Sequence, residues 1–518
     1  MKGKSVCVVN DLTIEEQHHL YNRASLVKKE VLSGSLQGSS HKGCSYLMFL
    51  EDSTRTKESF RNASETLGFR TNMFDATSSS LNKFETLNDT VRMLCGYTAL
   101  PSVFIIRSKI EGLCKSLQDA MKDYASRSNI VMPCFVNAGD GKHEHPTQEF
   151  LDEFSFIDQL GGKTDSIHIA LVGDLLLGRT IHSKADGLRI FNKVTVDLVA
   201  PKELQLPQDY VSKMKSNGFT LNTFSSLDEY LGSGKHVAPI LYFTRLQLER
   251  MDKYMLEKEA VLRSATSLRM DMLTKLPKGA KIYHPLPRHG EFPEIPFEVD
   301  KTEFNGYDEQ SRNGYYVRTA LLGLLTGAFE DVPGHSQLQT PPPKALSLTV
   351  TPVEQVNTFF KAAAESTSET TAWVEVEFPH GTCPSQVRKS ISRMRVLSGI
   401  ETKDGFCQIS GNKGFHTVPA DFVDKDSWLK YFFSFFADCK PRVVFERSKS
   451  EFMQLTAQGS VDTLSALPGL GCKNPACVSH PESKQRDVPT MFHASRITAS
   501  RFACRYCERE YSGLELFM

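Results

Sequence analysis

The chain has 518 residues, of which 40% are hydrophobic and 24% charged, a composition that can bury full hydrophobic cores. At about 150 residues per domain, this length predicts three or four domains. Lysine plus arginine and aspartate plus glutamate each number 61, so the formal net charge is zero. This balance argues against a protein that mainly coats nucleic acid or an anionic membrane, and we expect neither as a partner.

The sequence shows no sign of export. Its N-terminal segment has no apolar run long enough for a signal peptide, and no stretch approaches the roughly 20 apolar residues of a membrane span. Twelve cysteines in such a chain predict reduced thiols instead of a disulfide framework. We therefore expect a cytoplasmic protein.

Residues 1–330 alternate short apolar runs with amphipathic stretches, the pattern of α/β domains built on parallel sheets. Strands are predicted at 46–50, 103–106, 131–136, 167–172, 195–199 and 240–243. We divide this part into two α/β domains, 1–150 and 151–330. An apolar helix over 319–329 is expected to return to the first of them.

The sequence changes in character after residue 330. Residues 331–345 include three successive prolines, which predict an extended and fairly stiff linker. Over 346–464, the spacing of apolar residues predicts an α+β ferredoxin-like domain of roughly βαββαβ order, with a helix at 353–360 and a last strand at 442–445. A small zinc-binding β domain is expected over 465–518, because its cysteines are spaced as metal ligands.

The stretch Ser53-Thr54-Arg55-Thr56 lies where a predicted strand turns into a predicted helix. Orphan backbone N–H groups and the positive end of the helix dipole point at such a turn. With three hydroxyls and one guanidinium added, the turn suits a phosphate group. The simpler alternative is a helix cap with a solvent-exposed Arg55.

A second strand-to-helix turn holds His145 and Gln148, with Pro146 at the first helical position. His145 is there either a capping residue or a neutral hydrogen-bonding group beside a bound phosphate. Arg107 follows the strand predicted at 103–106, and ligands of open parallel sheets bind beyond the carboxyl ends of strands. A surface arginine is the alternative for Arg107.

Several of these motifs resemble those of the carbamoyltransferase family, over residues 10–330. In the first half they are Ser53-Thr54-Arg55-Thr56, Ile105-Ile106-Arg107, Asn137-Ala138-Gly139-Asp140-Gly141 and His145-Pro146-Thr147-Gln148. In the second half the segments 172–180, 242–247 and 284–288 are similar to those of the aspartate enzymes, not the ornithine enzymes. The resemblance implies transfer of the carbamoyl group of carbamoyl phosphate to the α-amine of L-aspartate. The products are N-carbamoyl-L-aspartate and phosphate, in de novo pyrimidine (UMP) biosynthesis.

The resemblance also implies residue roles. Carbamoyl phosphate is expected to bind Ser53, Thr54, Arg55, Thr56, Arg107, His145, Gln148, Leu286 and Pro287. Catalytic roles are implied for Arg55, Thr56, Lys83, Arg107 and His145, with no cofactor in the reaction. Aspartate is expected to bind Lys83, Arg179, Arg245 and Gln247. A dicarboxylate calls for guanidinium forks, which Arg179 and Arg245 can supply.

The serine-rich segment 78–86 resembles the family loop whose lysine reaches the active site of a neighbouring subunit. This makes Ser79 and Lys83 expected site residues, and it implies at least a homotrimer with shared active sites. Phe84 stands where the family usually has glycine, which changes the conformations open to the loop. A mobile surface loop without a role is the alternative.

Near the C-terminus, four cysteines form two pairs, Cys472 with Cys477 and Cys504 with Cys507. Two such pairs supply four thiolates for one tetrahedral structural zinc per chain, and four unrelated thiols are the alternative. The pairs are similar to those of the regulatory chain of bacterial aspartate carbamoyltransferase. That similarity implies a nucleotide-binding-like regulatory domain at 346–464, with CTP and ATP as candidate effectors.

We therefore predict a cytoplasmic aspartate carbamoyltransferase with a C-terminal regulatory module that carries structural zinc. A carbamoyltransferase acting on another amino acid, such as ornithine, is the nearer alternative. A catalytically inactive scaffold with a zinc-containing interaction module is the alternative from a different class.

Overall fold

The computed structural model describes residues 1–36, 43–74, 85–233, 237–247, 251, 253–329, 346–353, 371–397, 407–410, 412–419, 426–448, 451–458, 461–465, 470–483, 485, 488–495 and 501–517. The chain forms two compact units, Met1–Gln337 and Leu338–Met518. Three expectations lie outside the described residues: the loop with Ser79, Lys83 and Phe84, the linker at 331–345, and all but the first residue of the helix at 353–360.

The first unit begins with a four-stranded parallel sheet in the order β2-β1-β3-β4. Its strands are β1 (Cys44–Phe49), β2 (Arg70–Phe74), β3 (Ser102–Ser108) and β4 (Cys134–Asp140). The helices of this part are α1 (Ile14–Leu32), α2 (Thr54–Thr66), α3 (Leu87–Gly96), α4 (Leu113–Ser128) and α5 (Pro146–Gln159). Every residue of β3 and β4 is buried, as expected for parallel strands covered on both faces.

The rest of this unit is built on a five-stranded parallel sheet in the order β7-β6-β5-β8-β9. Its strands are β5 (Ser166–Val172), β6 (Lys193–Val199), β7 (Thr220–Phe224), β8 (Ile240–Phe243) and β9 (Lys281–Tyr283). The helices are α6 (Arg179–His182), α7 (Lys184–Gly187), α8 (Gln208–Ser216), α9 (Leu227–Gly232), α10 (Lys253–Glu257), α11 (Glu259–Thr266) and α12 (Tyr307–Thr326). The predicted fold class of two parallel-sheet α/β domains is therefore confirmed.

Helix α12 follows β9 of the second sheet in the chain but packs against α1, α2 and α5 of the first part. It therefore joins the two α/β parts of this unit. Its apolar second half includes Val317, Leu321 and Leu324, which are fully buried. The sequence predicts only this half, and places its end at 329 instead of 326. The first half carries buried polar residues, Gln310 and Asn313, so it lacks the apolar periodicity that marks a helix.

The second unit contains a six-stranded antiparallel sheet in the order β10-β15-β14-β11-β13-β12. Its strands are β10 (Ser347–Pro352), β11 (Thr371–Glu377), β12 (Cys407–Ser410), β13 (Lys413–Pro419), β14 (Arg442–Ser448) and β15 (Glu451–Gln458). Helix α13 (Pro384–Leu397) follows β11, and helix α14 (Asp426–Phe435) follows β13. The elements from β11 to β14 thus form the βαββαβ unit, one strand later than the sequence indicates.

The strand expected to be the last, at 442–445, is not the last. Strand β15 follows it and pairs with both β14 and β10. Its burial is only partial at alternate positions, so its apolar pattern is weak. Helix α14 buries an apolar face that includes Leu429, Phe432 and Phe433.

A smaller antiparallel sheet completes this unit, in the order β16-β17-β18-β19. Its strands are β16 (Thr463–Ser465), β17 (Met491–Ala494), β18 (Arg501–Cys504) and β19 (Glu510–Ser512), and helix α15 (Gly513–Phe517) follows them. Among the described residues of the whole chain, no helix combines the length and the apolar character needed to cross a bilayer.

Candidate active site and metal centre

A cavity of about 470 Å³ lies in the first unit and is lined from both of its sheets. From the first half it receives Ser53, Thr54, Arg55, Thr56, Arg107, His145 and Gln148. From the second half it receives Arg179, Arg245, Gln247, His284, Leu286, Pro287 and Arg318. Each described residue that the sequence assigns to substrate binding therefore lines one cavity, whereas Ser79 and Lys83 lie outside the described part of the chain.

The turn that the sequence assigns to a phosphate group, Ser53-Thr54-Arg55-Thr56, forms the start of α2. Ser53 occupies the N-cap position with extended backbone angles, and within the described residues its side chain makes no capping hydrogen bond. Arg55 is exposed at the cavity, and Thr56 is buried beneath it. The first turn of α2 thus directs backbone N–H groups and an uncapped serine toward the cavity, an arrangement that suits an anion.

His145 and Arg107 form the inner wall of the cavity, and both are buried. The backbone N–H of His145 donates to Ser183 Oγ at 3.1 Å, and Arg107 Nη1 donates to the carbonyl oxygen of Ala138 at 3.0 Å. Burial, and then the nearby charges of Arg107 and Arg179, hold the pKa of His145 well below its usual range. The imidazole is therefore neutral near pH 7 and can donate one hydrogen bond to a ligand.

A carboxylate that the sequence did not single out connects two of the arginines. Glu51 Oε2 lies 3.1 Å from Arg179 Nη1 and 3.5 Å from Arg107 Nη2. Gly139, with φ +112°, lies against both guanidiniums, and a Cβ there would come within 2.9 Å of Arg107 Nη1. Glu51 lies just upstream of the serine turn, but an isolated glutamate has no pattern that distinguishes it from a surface residue.

Arg245 and Gln247 follow the end of β8. The backbone N–H of Gln247 donates to Asp174 Oδ2 at 3.1 Å, and the other oxygen of this buried carboxylate accepts from the backbone N–H of Leu177. Thr244 Oγ1 donates to the Asp174 carbonyl oxygen at 3.3 Å. Asp174 therefore fixes the loop that presents Arg245 to the cavity.

The loop from His284 to Arg288 closes one side of the cavity. Leu286 has φ +53°, a conformation that costs a residue other than glycine about 1 kcal/mol or more, and its peptide bond to Pro287 is cis. The backbone N–H of Leu286 donates to His284 Nδ1 at 2.8 Å, so the proton of the neutral ring lies on Nε2. Arg288 Nη1 forms an ion pair with Asp300 Oδ1 at 2.8 Å, so this arginine stabilises the loop.

The burial of His284 gives a prediction about pH. Burial, helped by Arg288, lowers the pKa of His284 to about 3, whereas an unfolded histidine titrates near about 6.5. A depressed folded-state pKa means that the neutral ring's stabilisation is complete above pH ~6.5 and is lost as the pH falls toward 3. As the pH is lowered, we expect the free energy of unfolding of the wild type to decrease by about 1 kcal/mol per pH unit more than that of His284→Gln.

Equilibrium urea unfolding, followed by far-UV circular dichroism between pH 6.5 and 4.5, measures this slope. His380→Gln removes an exposed histidine and is the matched control, expected to keep the wild-type slope. Equal slopes in the wild type and His284→Gln would contradict the prediction.

Arg318 is a further cavity residue that the sequence did not reveal, because it lies within the apolar pattern of α12. It is buried, its guanidinium carbon lies 5.1 Å from the Phe60 ring centroid, and Nη1 donates to Ser59 Oγ at 2.7 Å. Burial lowers the pKa of Arg318 to about 10, so the group is still charged at neutral pH. It adds a further positive charge to the cavity.

The four cysteines of the second unit meet at one point. The sulfur atoms of Cys472, Cys477, Cys504 and Cys507 all lie within 4.8 Å of one another, and all four residues are buried. Two of the separations are 3.6 Å, between Cys472 and Cys507, and 3.8 Å, between Cys477 and Cys504. Tetrahedral coordination with Zn–S bonds of about 2.3 Å requires sulfur atoms roughly 3.8 Å apart, so the cluster fits one such ion.

Two parallel-sheet domains with a shared, arginine-lined cavity define a two-domain α/β protein whose cavity suits anionic ligands. The model of the aspartate/ornithine carbamoyltransferase carbamoyl-P binding domain matches residues 4–158, and that of the Asp/Orn binding domain matches 165–325. This chain therefore belongs to the aspartate/ornithine carbamoyltransferase family. The model of the aspartate carbamoyltransferase regulatory chain, metal binding domain, matches residues 466–516. The predicted continuation of a carbamoyltransferase into a regulatory-type metal-binding domain is thus confirmed.

Relatives match over the whole length. Protein PyrBI of Thermotoga maritima is 38% identical over 99% of this chain and 98% of its own, and Protein PyrBI of Treponema denticola gives the same values. The aspartate carbamoyltransferase catalytic subunit of Photobacterium profundum is 34% identical over 62% of this chain and 96% of its own. Among solved structures, aspartate transcarbamoylase from Trypanosoma cruzi in complex with N-(phosphonacetyl)-L-aspartic acid is 32% identical. It matches with a TM-score of 0.53 over 62% of this chain and 95% of its own.

Proposed function

We propose that this chain transfers the carbamoyl group of carbamoyl phosphate to the α-amine of L-aspartate. The observation that carries the proposal is the single cavity that gathers Arg55, Arg107, Arg179 and Arg245 around the neutral His145. Such a cavity suits two anionic substrates held next to each other. The similarity to aspartate enzymes, one of them solved with a bound carbamoyl phosphate and aspartate, supports this choice of substrates.

The phosphate end is assigned to the first turn of α2. Ser53, Thr54 and Thr56 supply hydroxyls and backbone N–H groups, and Arg55 supplies a guanidinium. The carbonyl oxygen of the carbamoyl group is assigned to Thr56, Arg107 and His145, whose donors would stabilise the oxyanion that forms when the amine attacks. The new C–N bond forms first and gives this oxyanion. The C–O bond to phosphate then breaks, the phosphate leaves with both electrons of that bond, and it can accept the proton that the amine releases.

The carbamoyl amide is assigned to Gln148 and to the loop at Leu286 and Pro287. No side-chain nucleophile is required, since the substrate amine is itself the nucleophile. The chain's residues therefore act by positioning and by electrostatic stabilisation, which can together supply a large part of a rate enhancement.

The two carboxylates of aspartate are assigned to Arg179, Arg245 and Gln247, with Lys83 of the neighbouring subunit as a further proposed contact. We expect Arg245→Ala to raise the KM for aspartate by about 10- to 100-fold, because a charge-assisted hydrogen bond contributes about 1.5–3 kcal/mol. The KM for carbamoyl phosphate is expected to change less than about threefold, since other residues hold that substrate. Initial rates with each substrate varied separately measure both constants.

Arg269→Ala is the matched control for Arg245→Ala. Arg269 lies in the same half of the unit, is exposed, and pairs with Asp228 at 2.9 and 2.8 Å. Such surface pairs contribute about 1 kcal/mol or less, so both KM values should stay at wild-type levels. An unchanged aspartate KM in Arg245→Ala would contradict the assignment of the substrate carboxylates.

For the second unit we propose a structural zinc ion held by Cys472, Cys477, Cys504 and Cys507, with no ligand position left open for catalysis. The unit is further proposed to be a regulatory module, with CTP and ATP as candidate effectors. We also propose a cytoplasmic homotrimer or larger assembly, because the proposed role of Lys83 needs a neighbouring subunit.

A further inference from the structure

Helix α5 carries three carboxylates that line no part of the cavity, although its first turn does. Glu149, Asp152 and Glu153 all have 0% exposure, and so does the lysine that faces them, Lys184 of α7. Burying charged groups is costly unless they are paired and hydrogen-bonded. Three buried acids beside one buried base therefore call for a reason.

Lys184 bonds two of the three acids. Its Nζ lies 2.9 Å from Glu149 Oε2 and 2.9 Å from Asp152 Oδ2. It also lies 4.1 Å from the centroid of the Tyr242 ring, which adds a cation–π contact. One cation is thus fixed between two carboxylates.

The third acid, Glu153, is held differently. Its Oε2 accepts from the hydroxyl of Tyr21. A Cβ on Gly187 would come within 2.1 Å of Glu153 Oε1 and 2.4 Å of Glu149 Oε1, so these two oxygens share one small space. Burial raises the pKa of Glu153 well above its usual range, and that of Glu149 to about 7. A proton shared between the two oxygens would remove one of the cluster's two excess negative charges and leave Lys184 to Asp152 and Glu149.

The other oxygen of Asp152 accepts hydrogen bonds from two side-chain carboxamides. Gln148 Nε2 donates to Asp152 Oδ1 at 2.8 Å, and Gln310 Nε2 donates to the same oxygen at 2.6 Å. Gln148 lines the cavity, and Gln310 lies in α12. The oxygen of Gln310 accepts from the backbone N–H of His284 at 2.9 Å, which connects the cluster to the loop that carries Leu286.

These contacts determine which end of each carboxamide points where. An ionised carboxylate can only accept hydrogen bonds, so both glutamines must present their nitrogen atoms to Asp152. The oxygen of Gln148 is then directed to the cavity as an acceptor. An acceptor at this position favours a ligand that offers an N–H donor over one of the same shape that offers a methyl group.

We propose that Asp152 is a positioning residue that, with Lys184 bonded to its other oxygen, fixes the carboxamide of Gln148 so that the cavity accepts a hydrogen bond from the carbamoyl NH2 group. The proposal rests on the proposed function and adds to it the origin of selectivity for a carbamoyl over an acetyl group. Acetyl phosphate, which has a methyl group in place of NH2, is the probe for that selectivity.

Asp152→Asn tests the proposal. Lys184 still needs an acceptor, so the introduced carboxamide is expected to turn its oxygen to Lys184 and its NH2 to the two glutamines. Gln148 then turns over and presents its NH2 to the carbamoyl NH2, and Gln310, turned in the same way, loses the hydrogen bond from the His284 N–H. We expect the KM for carbamoyl phosphate to rise roughly 10- to 100-fold. The inhibition constant of acetyl phosphate is expected to rise at least about tenfold less, because a methyl group makes no hydrogen bond to either end of Gln148.

The double variant Asp152→Asn/Lys184→Met separates positioning from a purely structural role. Without the lysine, the introduced carboxamide can turn its oxygen back to the glutamines. The KM for carbamoyl phosphate is therefore expected to be at least about tenfold lower in the double variant than in Asp152→Asn. A purely structural role predicts the reverse, because the second change removes another buried contact. Asp158→Asn, on the same helix but exposed and paired with Lys28, is the control and should match the wild type.

Each outcome bears on the proposal. A double variant that binds carbamoyl phosphate more weakly than Asp152→Asn, or an unchanged preference for carbamoyl over acetyl phosphate in Asp152→Asn, overturns it. If Asp152→Asn does not fold, Asp152→Ala decides, because it removes the oxygen that accepts from both glutamines and leaves Lys184 paired with Glu149. Its preference for carbamoyl over acetyl phosphate should fall at least about tenfold, and an unchanged preference overturns the proposal. A wild-type protein without carbamoyl transfer would instead contradict the proposed function itself.

Discussion

Arg55→Ala is expected to lower kcat/KM for carbamoyl phosphate by about 10²–10³-fold. Arg55 lies in the first turn of α2, beside the backbone N–H groups that would hold the phosphate, so its loss removes a charge-assisted contact to a dianionic group. Its side chain is exposed, so the free energy of unfolding should change by less than about 0.5 kcal/mol. Steady-state kinetics together with urea unfolding measure the two effects on one preparation.

Arg61→Ala is the control for this loss, because Arg61 lies on the same helix but away from the cavity. Arg61 bonds Glu58 at 2.7 Å and Glu65 at 3.1 Å, pairs of the kind that contribute about 0.3–0.5 kcal/mol on a helix surface. Its kinetic constants should equal those of the wild type. Wild-type activity in Arg55→Ala would show that the start of α2 does not hold the phosphate.

Cys504→Ser is expected to abolish zinc binding and to unfold the small sheet β16-β17-β18-β19. Cys504 ends β18, and its sulfur lies 3.8 Å from that of Cys477 within the four-cysteine cluster. In small domains of this kind, metal binding of about 10–16 kcal/mol is itself the folding free energy. The zinc content by mass spectrometry should fall to near zero, and hydrogen exchange in β17 should become fast.

Cys383→Ser is the matched control, because Cys383 is an exposed thiol of the same unit outside the cluster. It should keep one zinc ion per chain and slow exchange in β17. Full zinc content in Cys504→Ser would mean that the four cysteines do not form one metal site.

The central strands were the most predictable part of the fold. β3 and β8 are buried throughout, so they appear in the sequence as continuous apolar runs. Three strands of the first unit were not predicted: β2, β7 and β9. All three are edge strands; β2 and β7 are partly exposed and β9 has only three residues, so none has a strong apolar pattern.

The site residues divide in a similar way. Arg55, His145 and Arg245 follow strand ends within short motifs, so the sequence could point to them. Glu51 and Arg318 approach the cavity only through the fold, one as a bridge between arginines and the other from within α12. Their roles depend on distances between elements far apart in the chain, which local spacing does not encode.

The cluster around Asp152 shows the same limit. Glu149, Asp152 and Glu153 have the spacing of an ordinary solvated helix face, and Lys184 would complete an ordinary surface pair. Only the packing of α5 against α7 and α12 shows that these groups are buried and connected to Gln148. A charged stripe on a helix can therefore conceal a buried network, and the sequence alone cannot separate the two.

The most direct test of the central claim is the identity of the amino acid that accepts the carbamoyl group. Purified full-length protein is incubated with carbamoyl phosphate and either L-aspartate or L-ornithine, with and without CTP and ATP, and the carbamoylated product is identified by mass spectrometry. Efficient formation of N-carbamoyl-L-aspartate, with no carbamoylated ornithine, is the predicted result. Efficient carbamoylation of ornithine with none of aspartate, or no transfer to either amine by folded, zinc-loaded protein, would contradict it.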